Sequence, residues 1–257
     1  MLLRSDILTE ADGEAVAVEN AEGAGICLFV CEHASRRMPE RAGNLGLDSD
    51  ALVSHIAWDP GALEVAKRLS VMLDGTLVHQ RFSRLVYDCN RPPESPAAMP
   101  EKSEIYDIPG NHGLTVAERY ARTAALYVPF HDRVCAILAA RKASGRPSVI
   151  VTVHSFTPVY LGKQRAVEIG ILHDDDSRLA DGMLDAARGG PFRVERNEPY
   201  GPDDGVTHSL RLHGLPDGHL NVMIEVRNDL IRDEVGQGVM ADYLAELIAK
   251  AIDTASK

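Results

Sequence analysis

Ser148-Val149-Ile150-Val151-Thr152-Val153, followed at once by His154-Ser155, decides the fold class. Six residues, four of them valine or isoleucine, without polar alternation describe a strand buried on both faces, the usual condition of a strand inside a parallel sheet. The run ends on a histidine, so the strand is expected to deliver an imidazole at its carboxyl terminus. Ile26-Cys27-Leu28-Phe29-Val30 repeats the arrangement: Gly23 and Gly25 precede it, and Cys31, Glu32 and His33 follow. Thr76 to His79, Val167 to Leu172 and Leu220 to Val226 read as further strands.

Helical spacing fills the intervals. Leu63, Val65, Ala66, Leu69 and Met72 recur at three and four residues, and Asp74-Gly75 ends that helix. Thr115 with Glu118 forms a capping-box pattern ahead of a stripe through Tyr120, Ala124, Tyr127, His131, Val134 and Leu138, which Pro129 should kink or divide. Val239, Met240, Tyr243, Leu244, Leu247, Ile248 and Ala251 form one face of a closing helix. Alternating strands and helices predict an α/β fold with helices on both faces of a mainly parallel sheet, in a single domain spanning residues 1–257. Pro92 to His112 and Asn197 to Pro216 lack apolar periodicity and read as long loops, a length more often functional than idle.

The 257 residues are 45% hydrophobic, enough for a sizeable core. Twenty-seven basic against 38 acidic residues give a net charge of −11, which argues against nucleic acid or an anionic membrane as partner. Met1 to Val18 carries five charges and lacks the apolar core of a secretory signal, and no segment is long and apolar enough to span a membrane. Cys27, Cys31, Cys89 and Cys135 contain no second close pair to complete a zinc finger, so reduced thiols and a cytoplasmic location are expected.

Ligands of open α/β sheets collect beyond the carboxyl ends of the strands, which makes His33 and His154 the leading metal candidates. Asp59, between His55-Ile56-Ala57-Trp58 and Pro60-Gly61, could be a third ligand or could cap the following helix. Glu225 interrupts the apolar run Val222 to Val226, and a buried carboxylate needs a partner. It is either a general base for a water or one half of an ion pair, Arg227 being the nearest arginine in sequence. Arg84-Leu85-Val86-Tyr87-Asp88-Cys89-Asn90-Arg91 reads as the end of an alternating strand. Its Arg84 and Arg91 offer guanidinium forks for an anionic substrate, with Asn90 as an added donor, or else make surface salt bridges. Arg36 and Arg37 read as a solvated face, and His55, His112, His208, His213 and His219 as loop or surface histidines. Ser155 lacks the surroundings of a nucleophile elbow.

Six clusters in order resemble the N-formylglutamate amidohydrolase family: Cys31 to Pro39, His55 to Ala62, Ser83 to Pro92, Val153 to Pro158, Asn197 to Tyr200 and Ile224 to Leu230. The resemblance implies a three-layer αβα fold similar to that of zinc carboxypeptidases and aspartoacylases. It also implies a divalent metal, zinc first, held by His33, Asp59 and His154. Those peptidases take their first two ligands from a His-x-x-Glu motif, and here residue 36 is arginine. Glu225 corresponds to their catalytic glutamate and Asn90-Arg91 to their substrate clamp. The expected reaction is attack of water on the N-formyl or other N-acyl carbon of a small anionic amino-acid derivative. Glu225 would be the base, Arg84 would stabilise the oxyanion, and Asn90, Arg91 and Arg227 would bind substrate. A deacylase for another acyl group and a non-catalytic amino-acid binder remain the alternatives.

Overall fold

The run at Ser148 forms a strand that continues past His154 to Phe156, so the histidine lies within the strand rather than at its end. The protein is described by a computed structural model for residues 7–255. Residues 1–6, part of the amino-terminal stretch discussed above, and residues 256 and 257, both within the expected domain 1–257, lie outside the described residues.

In chain order the strands are β1 (Val16–Glu19), β2 (Cys27–Cys31), β3 (Thr76–Gln80), β4 (Lys102–Ser103), β5 (Tyr106–Asp107), β6 (Val149–Phe156), β7 (Val159–Tyr160), β8 (Lys163–Gln164), β9 (Ile169–Leu172), β10 (Val194–Arg196) and β11 (Leu220–Arg227). The α-helices are α1 (Ser49–Val53), α2 (Ala62–Met72), α3 (Val116–Arg122), α4 (Val128–Ala143), α5 (Arg178–Ala186) and α6 (Glu234–Ala255). Seven strands form one mixed sheet in the order β1-β3-β2-β6-β11-β9-β10, while β4-β5 and β7-β8 are separate hairpins. The four central strands, β3, β2, β6 and β11, run parallel; β1 and β9 are antiparallel to their neighbours β3 and β11. The edge strands β1 and β10 were not legible because they are short and only half buried.

Strand alternation divides the interior into two layers of packing. Val149, Val151 and Val153 of β6, with Phe29, Val222 and Ile224, pack against α2, α5 and α6. Ile150, Leu28, Val30 and Val78 face the opposite way, onto Phe130 and Val134 of α4 and onto Phe82, Leu85, Tyr87 and Met99. That second layer is largely irregular chain. The expected strand through Arg84 is a series of turns, with the Val86 amide donating to the Ser83 carbonyl and the Arg91 amide to the Asp88 carbonyl. Leu85, Val86, Tyr87 and Cys89 are all buried there, so their alternation does not record two faces of a strand.

The capping box at Thr115 starts α3, and a π-helical turn, Thr123–Tyr127, separates it from α4, where Pro129 lies in the first turn. Gly61, at φ 81°, turns the chain into α2. A side chain there would meet the Ile231 carbonyl, so the short link from Asp59 to α2 depends on glycine. Truncating a buried valine of β6 such as Val151 to alanine would cost about 2 kcal/mol in lost burial and cavity formation. Among the described residues no helix is long and apolar enough to cross a membrane.

Candidate metal centre and active-site cavity

Parallel strands β2, β6 and β11 end side by side, and their carboxyl ends present His33, His154 and Glu225 to one cavity of about 300 Å³. Asp59 reaches the same point from the turn before α2. Its main chain is pinned by donation from its amide to the His33 carbonyl at 2.9 Å, and its carbonyl accepts from the Ala62 amide. The helix itself begins at Gly61 without a side-chain cap. The Asp59 carboxylate therefore points away from the helix: its Oδ2 lies 3.3 Å from His33 Nδ1, 3.0 Å from His154 Nδ1 and 3.2 Å from the Ser155 amide. The two Nδ1 atoms are 3.2 Å apart.

The far side of each imidazole faces an acid. His33 Nε2 lies 2.7 Å from Asp88 Oδ1, which assigns the proton to Nε2 and leaves Nδ1 as a lone pair. His154 Nε2 lies 3.1 Å from Glu32 Oε2, off the hydrogen-bond line but within ion-pair range. Carboxylates behind metal-binding histidines fix ring orientation and raise basicity in this way. With both Nε2 atoms turned to acids, the two Nδ1 atoms and a carboxylate oxygen converge on one point, an arrangement that calls for a positive charge between them, a proton or a metal ion. Among the described residues this is the one group of three such ligands, and all three are buried.

Local charge agrees with a cation site. Burial alone would raise the carboxyl of Glu32, yet the neighbouring His154 holds it down at about 2. Asp59 and Asp88 are likewise held well below the usual range despite burial, chiefly by His33 and by Arg84 respectively. Despite burial, Glu32 and then Asp59 push His154 well above its ordinary value, so the pocket favours positive charge where the two imidazoles and Asp59 meet, with Arg84 paired to Asp59 and Asp88 beside it. The donor set fits a divalent ion with affinity for imidazole and carboxylate, as zinc has.

Glu225 behaves differently from the other acids. Burial pushes its carboxyl up to about 7, with His154 opposing and Asp59 reinforcing, and its Oε2 has no hydrogen-bond partner among the described residues. A carboxyl poised near neutrality and aimed into a cavity is suited to moving a proton. Arg227 is not its partner. That guanidinium pairs with Asp229 at 2.7 Å and Glu168 at 3.5 Å and does not line the cavity.

The remaining expected residues divide. Arg91 lines the cavity with a single side-chain hydrogen bond, to the Asn90 carbonyl, and no ion pair among the described residues. Arg84 also lines the cavity but spends both terminal nitrogens on Asp59 and Asp88. Asn90 braces the loop that forms one wall, donating to the Val206 carbonyl at 2.5 Å and accepting from the Ser209 amide. His213, read as a loop or surface histidine, is buried and lies 2.7 Å from His131, because a π-helical turn, Leu210–Gly214, carries it inward. Glu32 and Asp88 lie within the sequence clusters quoted above but carried no assigned role there. An acid at the end of an apolar strand needs a partner for the reason already applied to Glu225, and that signal was available for Glu32.

The sequence model of the N-formylglutamate amidohydrolase family matches residues 26–232. The chain belongs to the N-formylglutamate amidohydrolase family. It is accordingly a hydrolase of amide bonds. The crystal structure of a gene product from Agrobacterium tumefaciens matches at 65% identity and a TM-score of 0.97, over 98% of this chain and 100% of that one. The N-formylglutamate amidohydrolase from Ralstonia eutropha JMP134 matches at 19% identity and a TM-score of 0.61, over 94% and 97%, and so shares the fold. No curated protein sequence matches the chain. The family range begins one residue before β2 and runs past β11, and thus contains all the site residues described above.

Proposed function

We propose that this amidohydrolase removes the N-formyl group, or a closely related N-acyl group, from an acidic amino acid such as N-formyl-L-glutamate, using a divalent metal. His33, Asp59 and His154 would hold the ion, and zinc suits their nitrogen and oxygen donors. A cation there supplies Lewis acidity and activation of water. Glu225 takes the proton of the attacking water at Oε2 and later returns it to the departing amine, a role for which a carboxyl near neutrality is matched. Arg91, with donors to spare, holds the substrate carboxylate. Arg84, bound to Asp59 and Asp88, acts on the developing oxyanion through its charge while holding both acids in place.

The observation that carries this reading is the convergence of two histidine nitrogens and the Asp59 oxygen beside the unpartnered Glu225. Four free cysteines, three of them buried, fit the reducing cytoplasm. The test is metal content measured alongside formate release from N-formyl-L-glutamate, with N-acetyl-L-glutamate as comparison. One ion per chain and chelator-sensitive formate release support the proposal; full activity without metal, or no formate from any N-formyl amino acid, removes it.

A further inference from the structure

Arg84 and Arg91 line the cavity, while Arg165 stands behind rings that line it and Arg227 donates to the Arg165 carbonyl; the four fall into two pairs. Arg84 and Arg227 are each bound to two acids. Arg91 and Arg165 have no ion pair among the described residues, in a chain whose acids outnumber its bases by 38 to 27. Arg165 follows the β7-β8 hairpin, and its guanidinium carbon stands 4.6 Å from the Tyr160 ring, 4.8 Å from the Tyr200 ring and 5.5 Å from the Phe156 ring. All three rings line the cavity. Its hydrogen bond to the Thr157 carbonyl, at 3.4 Å, is long, and with the Tyr200 hydroxyl as its other side-chain partner the guanidinium keeps donors to spare.

Tyr200 ties Arg165 to the reacting groups. Burial raises the Tyr200 hydroxyl, Glu225 raises it further, and Arg165 and Arg84 oppose, so one phenol lies within the field of all three. Aromatic faces hold a guanidinium by its plane and leave its edge N–H groups free, which preserves the fork that recognises a carboxylate.

We infer that Arg165 is a specificity-determining residue that receives the second carboxylate of a dicarboxylic N-acyl amino acid while Arg91 receives the first. This rests on the amidohydrolase reading above, which takes an acidic substrate, and adds to it the residue that receives the second carboxylate. An N-acyl amino acid with a neutral side chain leaves Arg165 without a partner and loses a charge-assisted pair.

The test is calorimetric binding of N-formyl-L-glutamate and N-formyl-L-glutamine to the zinc-loaded Glu225→Gln protein, whose turnover is slowed enough for substrate binding to be measured. The glutamate compound should bind about 30-fold more tightly, the yield of one good charge-assisted contact. Adding Arg165→Gln should bring the two affinities within about threefold by weakening only the glutamate compound, whereas Arg91→Gln should weaken both. Arg165→Lys keeps the charge and the stem and should retain roughly a third of the preference, which keeps the ratio measurable if the glutamine variant folds poorly. Equal affinities in the parent, or a preference unchanged by both Arg165 substitutions, overturn the assignment. Preferential binding without formate release by the unsubstituted enzyme would leave Arg165 in its role and remove the deformylase reading instead.

Discussion

His154 and Glu225 are register partners on the adjacent parallel strands β6 and β11, so the sheet itself sets the spacing between a candidate metal ligand and the candidate base. Neither depends on a loop for its position, which is the condition for a site held within a fraction of an ångström.

Glu225→Gln keeps the size of the side chain and removes its ability to take a proton. Steady-state kinetics should show kcat lower by about 10³-fold, within the range for loss of a general base, with metal content unchanged. Activity within tenfold of the parent would dismiss Glu225 from that role.

Asp88 and Glu32 stand behind the two histidines and touch no substrate in this arrangement. Asp88→Asn should leave His33 less basic and free to rotate, weakening metal binding about 10- to 100-fold in a chelator competition. Glu32→Gln should act on His154 in the same direction. If metal affinity is indifferent to both, the carboxylates are structural and the tautomer assignment fails.

The central sheet was legible because the runs at Ile26 and Ser148 are buried on both faces, and burial of that kind leaves an unbroken apolar signature. His33 and His154 were legible only as neighbours of such runs, and Asp59 only as an acid in the turn before a helix. Their convergence depends on the order β2-β6-β11, which no local pattern encodes. The segment from Arg84 to Arg91 misleads for a related reason: it is buried under the sheet face without pairing to a strand, so hydrophobicity alone cannot separate it from β structure. Arg227 lies two residues from Glu225 on one strand, but the acids that claim it, Glu168 and Asp229, lie beside the strand end. Sequence spacing gave the face and could not give the partner.

Arg91→Ala removes a guanidinium that pairs with no acid among the described residues, so the fold should tolerate it. Because a carboxylate remote from the scissile bond is held equally in ground and transition states, KM should rise by about 10- to 100-fold with a smaller fall in kcat. An unchanged KM would reject Arg91 as the clamp.

His131 and His213 form a buried pair that the proposed chemistry does not use. His131 Nε2 lies 2.8 Å from the Cys89 carbonyl and therefore donates to it, which leaves its Nδ1 to accept from His213 Nε2 at 2.7 Å. Burial pushes His131 down to about 4 and His213 to about 3, against about 6.5 in an unfolded chain. The unfolded state thus binds protons that the fold refuses. Stability from this pair is complete above about pH 6.5 and is lost as the pH falls towards 4, by on the order of 3 kcal/mol for each imidazole at the lower end. Urea unfolding at pH 7.5, 6.0 and 5.0 should show this loss, and His213→Phe, which cannot titrate, should flatten the slope while lowering stability at pH 7.5. Parallel slopes in parent and variant would place the acid sensitivity elsewhere in the molecule.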